Sequence, residues 1–253
     1  MITSASNSRI KNIIQLRTSA KARKTQNRYV VEGIRMFQET PDARIQEVFV
    51  SESFVSSKDG EKALRGKEYD IVSDDVFKKM SDTVTPQGIM CIVEMMTYDL
   101  DSLIEKEEVK VMVLESLQDP GNLGTIIRTS EAAGFDFILA DKSTVDVYNP
   151  KVIRSTMGAI YRVPVLYTND LIADLAKLKN NNIVLYAAHL MGTSSYKEQS
   201  YSRKTAILIG NEGNGLSEEI SSMADVLVKI PMKGKVESLN AAVAAALMMF
   251  EVE

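Results

Sequence analysis

The sequence predicts an α/β protein in two parts: a small α/β domain, then a larger one on a mostly parallel sheet with helices on both faces. Three observations carry this. Apolar strands recur through the second half, at residues 109–114, 137–140, 163–166, 183–188, 206–209 and 226–230. Their apolar runs are continuous rather than alternating, as expected of strands buried on both faces of a parallel sheet. Helical patterns lie between several of them, at 123–133, 149–157, 171–179 and 216–223, and a last helix spans 239–251.

The first half is read in the same way. Residues 8–16 form an amphipathic helix with Ile10, Ile13 and Ile14 on one side. Residues 17–28 are basic, helix or loop. Strands follow at 29–31, 48–50, 69–72 and 88–94, with a helix at 33–39 and another from Asp74, its cap, to Met80. The polar, acidic stretch 98–108 is read as a linker, dividing a domain of residues 1–97 from one of 109–253. No repeat or low-complexity tract is present.

Composition narrows the class. Apolar residues make up 45% and charged residues 25% of the 253, an ordinary globular profile. No apolar run approaches the roughly 18 residues of a membrane-spanning helix, and the N-terminus lacks the apolar core of a signal peptide. The lone cysteine, Cys91, sits in an apolar run and suits a reducing cytoplasm. With one histidine and no cluster at zinc-ligand spacing, no metal site is expected. The net charge of −4 is uneven. Residues 1–35 hold eight Lys or Arg against one acid, Glu32, a local +7 that leaves −11 for the rest. Such a segment is either a docking surface for a polyanion or a solvated helix face.

Three stretches carry chemistry. After the strand ending at Leu114, Gln118-Asp119-Pro120-Gly121-Asn122 forces a tight turn, with Asn122 placed to cap the next helix and Gly134 to end it. This is a plain βα unit with a surface arginine, or it sets Asn122 and Arg128 at the carboxyl edge facing an anion, for which a guanidinium offers several planar donors. The second stretch, Gly210-Asn211-Glu212-Gly213-Asn214-Gly215, follows a buried strand. It lacks the order of a dinucleotide fingerprint, and Glu212 would repel a pyrophosphate, so a neutral or cationic ligand suits it better than a phosphate. The third runs Ile230-Pro231-Met232 to Ser238-Leu239-Asn240, where Ser238 is a candidate cap for an alanine-rich helix. Met248, Met249 and Phe250 read as core or subunit interface. His189, ending a strand, is either packed incidentally or near the ligand edge, and Arg154–Gly158 either lines that edge or ends a helix.

In this order the three stretches resemble the motifs of the SpoU (TrmH-type) RNA ribose 2′-O-methyltransferases. The matching positions are Asn122, Gly124 and Arg128; Gly210, Glu212, Gly215 and Leu216; and Ile230, Pro231, Met232, Gly234, Ser238, Leu239 and Asn240. The likeness runs from about residue 109 to the end, and Arg154–Gly158 with Pro164 shares it. Ala241 stands where valine is common. The first half is similar to the L30e-like substrate-binding domain often attached to this family, through Tyr29-Val30-Val31-Glu32-Gly33.

The resemblance implies a deep trefoil knot, where general chain rules give an unknotted doubly wound sheet. It implies S-adenosylmethionine as cofactor, met by backbone near Leu208, Ile209, Gly210, Ile230, Met232 and Leu239, with S-adenosylhomocysteine as product. Arg128 takes the position of the catalytic arginine, with Glu212 holding it and Asn122, Ser238 and Asn240 shaping the pocket. RNA, ribosomal rather than transfer RNA, would dock on Arg9, Lys11, Lys21, Arg23, Lys24, Arg28 and Arg154, and the protein would be a homodimer. Two other classes stay open: a nucleotide-cofactor enzyme of Rossmann type, and a noncatalytic RNA-binding protein of this fold. Asn122, Arg128, Glu212 and Asn240 occurring together weigh against both.

Overall fold

The structure, a computed structural model, describes residues 1–252. Helix α1 is Ser8–Thr18, α2 Ala20–Gln26, α3 Ile34–Glu39, α4 Glu52–Val55, α5 Lys58–Ala63 and α6 Asp74–Met80, with strands β1 Arg28–Glu32, β2 Ile45–Ser51, β3 Asp70–Val72 and β4 Ile89–Glu94 among them. Then come α7 Leu100–Ile104, β5 Val109–Leu114, α8 Pro120–Ala132, β6 Phe137–Asp141, α9 Pro150–Thr156, β7 Val165–Thr168, α10 Leu171–Asn180, β8 Val184–Ala188, β9 Ser194–Ser195, β10 Lys204–Ile209, α11 Glu218–Met223, β11 Val226–Lys229 and α12 Ala241–Met249. The described residues form two compact units, 1–96 with 148–161, and 97–147 with 162–252.

The first unit holds a mixed four-stranded sheet in the order β1-β4-β2-β3. Ile10 and Ile13 of α1 lie fully buried with Phe49, Phe77 and Met90 as the apolar spacing predicts, but the third buried position is Leu16, and Ile14 is only partly buried at the edge of that face. Asn7 caps α1 through Arg9 N. The cap of α6 is Ser73, and the Asp74 carboxylate instead accepts from Ser53 N and Oγ.

The larger unit is a seven-stranded sheet in the order β7-β6-β5-β10-β8-β11-β9, parallel throughout. Strand side chains alternate between its faces, and both faces are covered. Val109, Val111, Val113, Phe137, Leu139, Ala206 and Leu208 pack with Leu171, Leu175 and Leu178 of α10 and Ile220 of α11. Met112, Leu114, Ile138 and Ile207, at the intervening positions, are also buried, and α12 packs against α8 and β10. Met248 and Met249 belong to this core, whereas Phe250 is 65% exposed.

Two boundaries differ from the sequence reading. The stretch read as a linker contains α7, whose Ile104 is buried in the larger core with Leu100 and Leu103 against it. Its apolar residues are spaced for one helical face, which composition alone averages away. Residues 148–161 leave the larger unit and pack in the smaller one: Tyr148 lies 4.5 Å from Tyr29 ring to ring, and Thr40 Oγ1 is 2.7 Å from the Tyr161 hydroxyl. Boundaries read along the chain assume contiguous domains and miss such an excursion. Among the described residues no helix is long and apolar enough to cross a membrane.

Because Leu175 is fully buried between α10 and the sheet, Leu175→Ala is expected to cost about 2 to 5 kcal/mol. The check is a shift of the urea midpoint without loss of the parallel-sheet signature in far-ultraviolet circular dichroism.

Candidate active site

From β5 the chain moves outward to β6, while β10 lies on the other side of β5. The loops leaving the two strands therefore part at their carboxyl ends, the place where open α/β sheets take ligands. The first and second motif stretches are these loops. The third follows β11, which is separated from β10 by β8. His189, at the end of β8, consequently shares this edge. Its backbone N donates to Val228 O, and its Nδ1 accepts from Met191 N at 3.1 Å.

The cap of α8 is Asp119, not Asn122. Pro120 occupies the first helical position, where its fixed φ and missing N–H suit a helix start. The residue before it becomes the cap, its carboxylate accepting from Asn122 N at 2.8 Å. That frees the Asn122 side chain, which is buried. Its Nδ2 donates to Glu212 Oε1 at 3.0 Å, and its Oδ1 accepts from Asn240 Nδ2 at 2.9 Å. Asn240 in turn caps α12, its Oδ1 accepting from Ala242 N and Val243 N. One line of amides and a carboxylate thus ties together three stretches spread over more than a hundred residues. Ser238, the other candidate cap, is exposed, and its hydroxyl makes no hydrogen bond among the described residues.

Glu212 is the anionic centre of this line. Besides Asn122 it accepts from Asp119 N at 2.9 Å and Gln118 N at 3.1 Å. Partial burial pushes its carboxyl pKa up, but the hydrogen bonds from Asn122, Asp119 and Gln118 outweigh that and hold it below its ordinary value. Asn211, which carried no signal beyond its place among glycines, closes the loop: its Nδ2 donates to Ser116 O and its Oδ1 accepts from Gly213 N and Asn214 N. Residue 210 must be glycine, since a Cβ there would lie 2.1 Å from the carbonyl carbon of Gly215.

Arg128 lies six residues beyond Asn122, about 9 Å along α8. It is exposed, and among the described residues its side chain makes no hydrogen bond or ion pair. The expected grip of Glu212 on Arg128 is absent, because both carboxylate oxygens are given to the start of α8. In the third stretch no backbone group of residues 231–239 is hydrogen-bonded among the described residues. Ile230, Met232 and Leu239 are half-buried, whereas Leu208 and Ile209 are buried in the ladder beside β5.

A model described as the SpoU rRNA Methylase family matches residues 110–250. The chain belongs to that family. A second model, the MRM3-like substrate binding domain, matches residues 7–91 of this SpoU methylase. It is 32% identical over 253 residues to 23S rRNA (guanosine(2553)-2′-O)-methyltransferase RlmP of Bacillus subtilis (strain 168), covering 99% of this chain and 98% of that protein. Among solved structures it resembles an AdoMet-bound rRNA methyltransferase from Sinorhizobium meliloti, with TM-score 0.85, 30% identity and coverage of 99% and 95%. It also resembles the SpoU methyltransferase AviRb from Streptomyces viridochromogenes in complex with AdoMet, with TM-score 0.83, 27% identity and coverage of 97% of each chain.

The basic residues of this SpoU methylase's first unit divide by environment. Lys11, Lys21 and Lys24 are exposed and Arg28 is half-buried, and none of their side chains is bonded among the described residues. Arg23 departs from its expected role. It is 4% exposed, and Nη1 donates to Leu16 O at 2.7 Å and Arg17 O at 3.1 Å, tying down the end of α1. Arg9 lies over the Phe49 ring and pairs with Glu47 at 2.7 Å and Asp70 at 2.5 Å; Arg154 pairs with Asp82 at 3.0 Å. Sequence counts charges but not their partners.

A carboxylate held below its ordinary pKa stabilises the fold fully above its unfolded value, and that contribution is lost as pH falls through its folded value. Protection of the Gln118 and Asp119 amides against hydrogen exchange is therefore expected to weaken selectively on acidification below the ordinary carboxylate range. In Glu212→Gln it should be weak at every pH. Unchanged protection in Glu212→Gln would remove the carboxylate from its place at the start of α8.

Proposed function

We propose that this chain uses S-adenosylmethionine to methylate the 2′-hydroxyl of a ribose in RNA, with ribosomal RNA as its substrate. The observation that carries the reading is the hydrogen-bonded line Glu212–Asn122–Asn240, which draws three distant stretches to one sheet edge while Arg128 stays unpaired on the same helix. Family membership and the ribosomal RNA activity in the name of the Bacillus subtilis relative support it.

The residues fit the cofactor. Unbonded backbone over 231–239 offers donors and acceptors for an adenine and a ribose, and half-buried Ile230, Met232 and Leu239 offer apolar surface beside them. Leu208, Ile209 and Gly210 contribute backbone at the end of β10. When bound, S-adenosylmethionine supplies a sulfonium methyl group for in-line transfer to the ribose oxygen, leaving S-adenosylhomocysteine. Positioning is what such a reaction asks of a protein. A guanidinium keeps its proton and is a poor base, so Arg128 orients the hydroxyl and its neighbouring phosphate, and a nearby acceptor takes the proton. Asn122 and Asn240 form the wall behind it, Glu212 fixes that wall, and Ser238 lies on the open loop.

Finer features belong to the same reading. The second half, 109–253, is the methyltransferase domain, and the first, 1–97, an L30e-like RNA-binding domain. A trefoil knot at the C-terminal segment belongs to this reading through family membership. Exposed Val243 and Phe250 on and beside α12 suit a homodimer interface. Lys11, Lys21, Lys24 and Arg28 are the RNA-docking cations. The buried Cys91 thiol, its pKa pushed up to about 12 by burial, suits a reducing cytoplasm.

Two measurements test this. Arg128→Ala is expected to lower methyl transfer roughly 100-fold or more while S-adenosylmethionine still binds; near-normal turnover removes the assigned role. Replacing Lys21 and Lys24 with glutamine should weaken RNA binding and lower the slope of log affinity against log salt by about one for each phosphate no longer neutralised. Arg23→Gln should instead lower the melting temperature.

A further inference from the structure

The turn that precedes α8 is held in an unusual way. Five consecutive backbone amides are each bonded to a different atom outside the turn. Glu115 N donates to Ile209 O at 3.0 Å, Ser116 N to Asp141 Oδ1 at 2.8 Å, and Leu117 N to Thr144 Oγ1 at 3.2 Å. Gln118 N and Asp119 N donate to Glu212 at 3.1 and 2.9 Å. The motif stretches account for the last two. The middle two are supplied by the end of β6 and the turn after it, which no motif includes.

Ser116 is the strained point. Its φ is +55°, one of four non-glycine residues with positive φ among those described, a conformation that L-residues adopt at a cost and that persists where surrounding contacts over-determine it. The contacts are here. Asp141 Oδ1 takes Ser116 N, and Oδ2 takes Ser116 Oγ at 3.1 Å. Ser116 O accepts from Asn211 Nδ2 at 2.8 Å and Gln118 Nε2 at 3.1 Å. Asp141 is itself fixed by Thr144, which donates to Oδ1 from N at 3.0 Å and Oγ1 at 2.7 Å, and Thr144 is 4% exposed. The Arg128 side chain has no partner of its own among the described residues, so its place follows from where α8 starts.

We propose that Asp141, braced by Thr144, is a positioning residue for methyl transfer: it locks Ser116 in the left-handed turn that sets the start of α8, and through it the place of Arg128 and Asn122. The carboxylate reaches neither the cofactor loop 231–239 nor Arg128, so its effect falls on the geometry of transfer rather than on binding. This rests on the methyl-transfer reading above.

The test is steady-state methyl transfer with full-length protein, S-adenosylmethionine and ribosomal RNA, alongside melting curves and amide exchange over residues 115–119. Asp141→Ala is expected to lower kcat about 10- to 100-fold, the scale of an ångström of misplacement. KM for both substrates should stay within about twofold, and exchange at Ser116 and Leu117 should quicken. Adding Ser116→Gly, which removes the Cβ cost of the left-handed turn, should restore most of kcat without restoring the carboxylate. Thr144→Val should show a smaller loss of the same kind. Wild-type kcat in Asp141→Ala overturns the proposal, as does a loss of kcat that Ser116→Gly leaves untouched, the mark of a merely structural role. A wild-type chain that transfers no methyl group overturns the methyl-transfer reading as well.

Discussion

The site depends on one carboxylate. Glu212 leaves β10 on a loop that only glycine at 210 allows to fold back on itself, and it gives its oxygens to three donors at the start of α8. Each hydrogen bond to a charged acceptor is worth about 1.5 to 3 kcal/mol in general, so a cluster of three can fix a turn that would otherwise be free in water. From there the order passes through Asn122 to Asn240 and into α12. The Asn211 amide adds a second tie between the same two loops through Ser116 O, but only the carboxylate reaches the start of α8.

Arg128, by contrast, is uncommitted: among the described residues its side chain makes no hydrogen bond or ion pair. A paired arginine would have to be pulled from its ion pair before orienting an anionic substrate, whereas an exposed, unpaired one makes its contacts at little reorganisation cost. The acidic group nearest in motif order is occupied by backbone amides, which stabilise the anion without adding a competing cation.

In the smaller unit, charge is used in two opposite ways. Arg23 and Arg9 lie among carbonyls, carboxylates and an aromatic ring, and contribute to the fold. Lys11, Lys21 and Lys24 stand in solvent. Counterion release needs exposed, uncompensated cations, and fewer of these stand in solvent than the +7 of the first 35 residues implies.

Much of this was legible in the sequence because it is local. Continuous apolar runs reported the buried parallel sheet, apolar spacing reported α1, and the order of polar residues in three stretches reported the family. Other features needed the tertiary structure. Asn122 and Asp119 are both good caps, and only the helix start at Pro120 assigns the role to Asp119 and releases Asn122. Asp141 and Thr144 look like ordinary turn residues until β6 is set beside β5. Residues 148–161 read as part of the second half, yet Tyr148 and Tyr161 pack in the first unit. By itself the sequence determined which residue types carry the chemistry and which segments are buried, since these follow from composition and periodicity over a few turns. Which donor meets which acceptor was decided by the sheet order β5-β10-β8-β11, because hydrogen bonds depend on distances of a few tenths of an ångström between groups far apart along the chain.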